Sequence, residues 1–174
     1  MFPDIAALEL RRITAADWRA LKHLRLAALL DEPIAYCERW SDAAALDDDA
    51  WRARAARGAE GGDSFQVMAW DGARPVATAI GVVEEHAALR TPVAWLVGVH
   101  VAPDLRGRGL LERLVDAVSD WARGEGAPAL HLEVHEANGR AQAAYRRLGF
   151  TDTRRRRPYP LDPSAVELEL ARPL

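Results

Sequence analysis

The sequence predicts a mixed α/β (α+β) fold: a mostly antiparallel sheet of six to seven strands, flanked on both faces by about four helices. Three observations lead there. Short alternating apolar runs such as Leu130, Leu132 and Val134 have the period of strands with one buried face. Two longer segments carry apolar residues at helical spacing, Trp18 to Leu29 and Leu110 to Val118. A strand, helix, strand unit over residues 93 to 134 calls for a right-handed parallel crossover.

In chain order, Leu8 to Arg12 starts a short strand, and Thr14 can cap a helix carrying Trp18, Leu21, Leu24, Leu26 and Leu29, ended by Pro33. The Asp47 to Asp49 carboxylates suit the N-terminus of a second helix reaching about Gly58. The stretch between, with Tyr36 and Trp40, reads as a loop able to line a pocket. Phe65 to Trp70 and Pro75 to Val83 form a hairpin about Asp71-Gly72, a pair favouring the positive φ of tight turns. Pro92 to Val101 is a further strand, and a helix is predicted over Gly107 to Ala122. After the strand at Leu130 to Val134, Asn138 begins a short helix to about Leu148, where Gly149 can supply a left-handed cap. A proline-rich loop, Pro158 to Pro163, precedes a last strand through Val166, Leu168 and Leu170. The 174 residues are read as one domain, without internal repeat or linker.

Composition removes several function classes. A net charge of -3 gives no general attraction for nucleic acid or anionic membrane. No apolar run reaches the roughly 20 residues that span a bilayer, and Met1 to Leu10 lacks a signal-peptide pattern, so the cytoplasm is the expected compartment. The single cysteine, Cys37, has no intramolecular disulfide partner, and nothing nearby in the sequence lowers its pKa. Lys22 is the only lysine, so arginine is this chain's ordinary basic residue and a poor site marker by itself.

The strongest chemical signal is the segment from Val99 to Leu111, which joins a strand end to a helix start. Helix N-termini present unpaired amides with partial positive charge, and Gly107 and Gly109 let an anion approach that backbone. Arg106 and Arg108 add full charges. A dinucleotide fingerprint fails because Glu112 stands where its third glycine belongs, and a P-loop fails for want of Gly-Lys-Ser/Thr. Taken alone, the segment is equally consistent with a tight turn carrying solvated arginines.

A second segment runs Leu132-Glu133-Val134-His135-Glu136-Ala137-Asn138, then Ala141, Ala144, Tyr145, Leu148, Gly149 and Phe150. Together the two segments resemble the GCN5-related N-acetyltransferase family. Arg106 begins the match to the family's Arg/Gln-x-x-Gly-x-Gly/Ala loop, Gly109 takes its required glycine, and Asn138 and Tyr145 match the other hallmark. The likeness covers about residues 65 to 150. Leu111 departs from the pattern, standing where the family usually has glycine or alanine.

The resemblance implies acetyl-CoA as donor, an amine as acceptor and a splayed parallel strand pair holding the pantetheine arm. The backbone of Val99 and Val101 would bond that arm, and an amide of Val99 or His100 would hold the oxyanion. Arg106, Gly107, Arg108, Gly109, Leu110 and Leu111 would wrap the pyrophosphate, with Asn138 bonding the pantetheine or capping its helix. Tyr145 is the expected general acid, and Glu133 the leading candidate for the base that frees the amine. Glu84, Glu85 and His100 are its rivals. The resemblance also allows a homodimer.

Two clusters are set aside. His131, Glu133 and His135 share a strand face but are spaced too widely along it to converge on one metal ion. Arg154 to Arg157 could reach a cofactor phosphate, attract an acidic acceptor or lie exposed, and nucleic acid ranks last. The expected reaction is acetylation of a small-molecule amine, the alternatives being a protein N-terminus or lysine as acceptor, or a non-catalytic acyl-CoA-binding module. The Tyr36 to Trp40 loop favours a closed small-molecule pocket, and Glu133 favours a peptide acceptor.

Overall fold

The computed structural model describes residues 4–84 and 91–174. The strands are β1 (Glu9–Arg12), β2 (Ser64–Asp71), β3 (Arg74–Glu84), β4 (Val93–Val101), β5 (Ala129–His135), β6 (Thr151–Tyr159) and β7 (Asp162–Pro173). The helices are α1 (Trp18–Asp31), α2 (Trp40–Ala44), α3 (Asp48–Glu60), α4 (Leu110–Gly124) and α5 (Gly139–Arg147). The strands form one sheet in the order β1-β2-β3-β4-β5-β7-β6, antiparallel except for β4 against β5. No helix among the described residues is long and apolar enough to cross a membrane.

Strand alternation divides the core in two. Val67 and Ala69 of β2 face a cluster with Leu110, Leu114, Val115 and Val118 of α4, together with Leu130, Leu132 and Val134 of β5. Met68 and Trp70, of opposite parity, face Leu21, Leu24 and Leu29 of α1 and Trp51 of α3. Each α-helical stripe therefore covers one sheet face, as its apolar spacing predicts.

Three expectations are corrected. Trp40–Ala44 is a short helix inside the stretch read as a loop, started by Asp42 and Ala43 amides bonding back to the Arg39 carbonyl. The helix expected from Gly107 begins at Leu110, because Gly107 and Gly109 have φ of 71° and 89°, outside helical space. The proline-rich stretch is mostly strand: Arg157 and Pro158 pair with β7, and only Pro160 and Leu161 make the turn. Here an edge strand tolerates the missing amide of Pro158, since β6 ends the sheet. The Asp71-Gly72 hairpin forms as predicted, with φ of 59° at Gly72.

Candidate functional site

The site starts where β4 and β5 part. They pair only at Ala94 with Leu130 and Trp95 with His131. Beyond that point β4 carries a bulge: Val97 still faces Ile80, but the next aligned pair is His100 with Thr78, so Ala79 of β3 stands against Gly98 and Val99 of β4. Gly98 absorbs the kink at φ 60°, where a side chain would be strained and its Cβ would lie 2.9 Å from Ile80. The bulged strand swings away from β5, so Val99 and Val134 border a gap rather than a ladder.

This gap opens into a cleft of about 1450 Å³. At one end lie Arg106, Gly107, Gly109 and Leu111 at the start of α4, and at the other Glu133, Val134, His135 and Glu167. Asn138 and Tyr145 of α5 form one wall; being seven residues apart, they share a helix face two turns apart. The cleft exceeds the ~1,000 Å³ of ordinary single-ligand pockets and suits an elongated donor with an acceptor beside it.

Several expected residues are doubly employed. Arg106 lines the cleft, yet its Nε donates to the Val101 carbonyl at 2.9 Å and its terminal nitrogen to the Asp31 carboxylate. Its charge thus ties the turn before α4 to the end of α1. Arg108 lies in the same turn, outside the lining of the cleft. Leu110 is 1% exposed and packs into the α4 core, leaving its backbone amide as its contribution to an anion site. Asn138 caps α5, accepting from the Ala141 amide at 3.1 Å.

The ionisable groups are set by burial. Tyr145 stands edge-on to Phe150 with ring centroids 5.7 Å apart, and burial pushes its phenol well above the ordinary value. His100 is 6% exposed, and burial pulls its imidazole down to about 4 despite Asp31 nearby, so it is neutral at pH 7. Burial also raises the Glu133 carboxyl, with Glu169 and Glu84 adding to the rise and Arg157, 3.1 Å away, opposing it. Glu84, the last residue of β3, is a neighbour of Glu133, whereas Glu85 lies outside the described residues.

Four contributors are illegible as single letters. Tyr36 is 5% exposed and donates its hydroxyl to the Val99 carbonyl at 2.9 Å, while Tyr159 donates to the Tyr36 carbonyl at 2.7 Å. Glu167, 8% exposed, has its carboxyl raised by burial and by Glu133. It accepts from the Cys37 thiol at 3.6 Å, and burial pushes that thiol up to about 11, away from nucleophilic reactivity. The alternation Val166, Glu167, Leu168, Glu169 carried the signal: β7 aligns Glu169 with Glu133 and Glu167 with His135. Finally, the arginine run stays exposed but pairs with carboxylates, Arg155 meeting Glu169 and Arg157 meeting Glu133; Arg156 pairs with Asp152 at 2.7 Å. The two histidines are held nearby, His131 Nδ1 3.1 Å from Glu169 and His135 Nδ1 accepting from the Ala137 amide at 3.1 Å.

A strand gap that opens beside a glycine turn at a helix N-terminus makes a cleft with room for an extended ligand between two strands. Residues 18–150 match the model of the Acetyltransferase (GNAT) family, and the chain belongs to that family. It is 36% identical over 77 residues to an aminoglycoside N(6')-acetyltransferase type 1 of Stenotrophomonas maltophilia, covering 43% of this chain and 50% of that one. It is 46% identical over 52 residues to the streptothricin acetyltransferase of Streptomyces lavendulae, covering 30% and 28%. The chain thus spans half or less of these relatives' lengths. A GNAT-family acetyltransferase structure from Streptococcus pneumoniae superposes with a TM-score of 0.79 at 16% identity, covering 96% of this chain and 99% of that one.

Proposed function

We propose that the protein transfers the acetyl group of acetyl-CoA to a primary amine of a small molecule by direct attack on the thioester. The observation that carries this reading is the continuous cleft from the glycine turn at α4, through the β4/β5 gap, to the carboxylates of β5 and β7. The donor's pyrophosphate meets the amides at Gly107, Gly109 and the start of α4, where the helix dipole favours an anion. Its pantetheine arm runs along Val99 and Val101. The carbonyl of Val99 already accepts from Tyr36, and the amide of Val99 or His100, beside the bulge, is the group to polarise the thioester carbonyl.

The amine arrives protonated. Glu133, whose carboxyl is raised above the ordinary value chiefly by burial, takes that proton through water in its ionised form. The nitrogen forms a bond to the acetyl carbon, and the carbon–sulfur bond breaks as the oxyanion collapses. The electron pair goes to sulfur, which takes its proton from Tyr145, and the second proton of the attacking nitrogen passes through water to restore the phenol. The phenol's raised pKa keeps it protonated until then, and the same burial raises the basicity of the departing thiolate.

The small-molecule reading draws on the acceptor side of the cleft, where Tyr36 is strapped to β4 and Glu133 and Glu167 face the same space. The aminoglycoside and streptothricin acetyltransferases that share segments with this chain point the same way. The test is release of free thiol from acetyl-CoA with a streptothricin, an aminoglycoside and a short peptide as acceptors. Turnover with either small polyamine, and little with the peptide, is the expected result. Turnover with the peptide alone overturns the acceptor assignment, and no thiol release with any primary amine overturns the reaction.

A further inference from the structure

Beside the main cleft lies a second, smaller cavity of about 210 Å³, lined by Val82, Glu84, Trp95, Val97, Glu133 and Arg157. Its make-up is that of a cation receptor: an indole face, two carboxylates and two aliphatic walls. A cation already sits in it. The Arg157 guanidinium stands over the Trp95 ring, 5.6 Å from its centroid, with Nε 3.1 Å from Glu133 Oε1.

That resident is a poor partner. Glu133 Oε1 is buried yet makes no hydrogen bond among the described residues, so the contact with Arg157 is a charge pair without donor alignment. The Arg157 side chain is 61% exposed and comes from β6, the last strand of the sheet, where it can swing into water. A pair with one partner this exposed and no aligned hydrogen bond holds weakly, and the long arginine side chain regains rotamer freedom on release. A cation of better fit therefore displaces it at little cost. The exchange is charge for charge, so Glu133 keeps one positive neighbour throughout.

We propose that this cavity is an acceptor subsite for a second cationic group, an alkylammonium or guanidinium, and that Arg157 is an internal stand-in which the acceptor displaces. The inference rests on the amine-acetylating reading above and narrows its substrate class to diamines and polyamines. The spacing requires a second cation rather than the reacting one. Trp95 and Val97 precede the bulge residue Val99 by four and two positions, about 7 to 13 Å along the strand at ~3.3 Å per residue. An ammonium in the cavity is thus too far from the thioester to attack it, and well placed to hold the far end of a molecule whose other amine does.

The experiment is calorimetric titration of the coenzyme A-loaded protein, which cannot turn over, with 1,5-diaminopentane and with pentylamine. The Arg157→Ala protein is expected to bind the diamine about fivefold more tightly than the wild type and to leave pentylamine within about twofold. Glu84→Gln, at an exposed strand end, is expected to weaken the diamine about threefold without touching pentylamine. An Arg157→Ala protein that binds the diamine no more tightly, or tightens both amines alike, overturns the subsite. No acetyl transfer occurs in the titration, so the two readings fail separately: expected binding with no amine ever acetylated overturns the reaction, and acetylation without the binding pattern overturns the subsite alone.

Discussion

At its α4 end the cleft is walled by backbone, with two left-handed glycines, a helix N-terminus and a bulged strand, whereas at its β5/β7 end it is walled by ionisable side chains from distant parts of the chain. The first end uses groups that every residue owns, so its specification is a short local motif. The second assembles Glu133, Glu167 and Tyr36 from β5, β7 and the loop after α1, with Arg157 of the neighbouring cavity set against the charge of Glu133. Backbone sites tolerate many side chains but few conformations, and side-chain sites the reverse. A donor common to many reactions suits the former, and an acceptor particular to one suits the latter.

Substitutions can break this contrast or sharpen it. The largest expected effect is at the wall the two ends share: Tyr145→Phe should lower kcat by about 100-fold or more while the KM for acetyl-CoA stays within about twofold. Steady-state kinetics decide, and an unchanged kcat removes the phenol from the reaction. Next comes Gly109→Val, a side chain forced to φ 89°, expected to weaken acetyl-CoA binding more than tenfold and to destabilise the fold by about 1–3 kcal/mol. Calorimetry and thermal unfolding report the two effects separately.

At the acceptor end, Glu133→Gln should reduce kcat/KM by about tenfold or more and remove the acidic limb of its pH profile. The sign follows from the environment. Burial raises the Glu133 carboxyl, so the base is ionised above that raised value and activity falls as pH drops through it, at a higher pH than for an ordinary carboxylate. A limb that survives the substitution assigns the titration to another group. The smallest effect is expected from Asp31→Asn, which releases Arg106 from its carboxylate partner and should tighten acetyl-CoA by about two- to threefold. Weaker binding instead would show that Asp31 serves by holding the turn in shape.

The same contrast explains what could be read from the letters. The Asp71-Gly72 hairpin, the α4 stripe and the Asn138 cap depend on neighbours within a few residues, and all three form. The start of α4 shifts by three residues because the glycines that admit an anion also break helical geometry. The fate of Arg154 to Arg157 could not be read, since it depends on a β-bulge, marked by Arg154 at φ 65°, that turns the later arginines towards the carboxylates. Nor could the pairing of Tyr36 with Val99, 63 residues away, which follows from packing alone.

That pairing has a mechanical consequence. The hydroxyl of Tyr159 holds the carbonyl of Tyr36, and the hydroxyl of Tyr36 holds the carbonyl of Val99, so the β6 hairpin and the bulge of β4 are joined in series through one residue of the loop between them. In the proposed reaction that strand presents the thioester, so removing either hydroxyl would uncouple the hairpin from it.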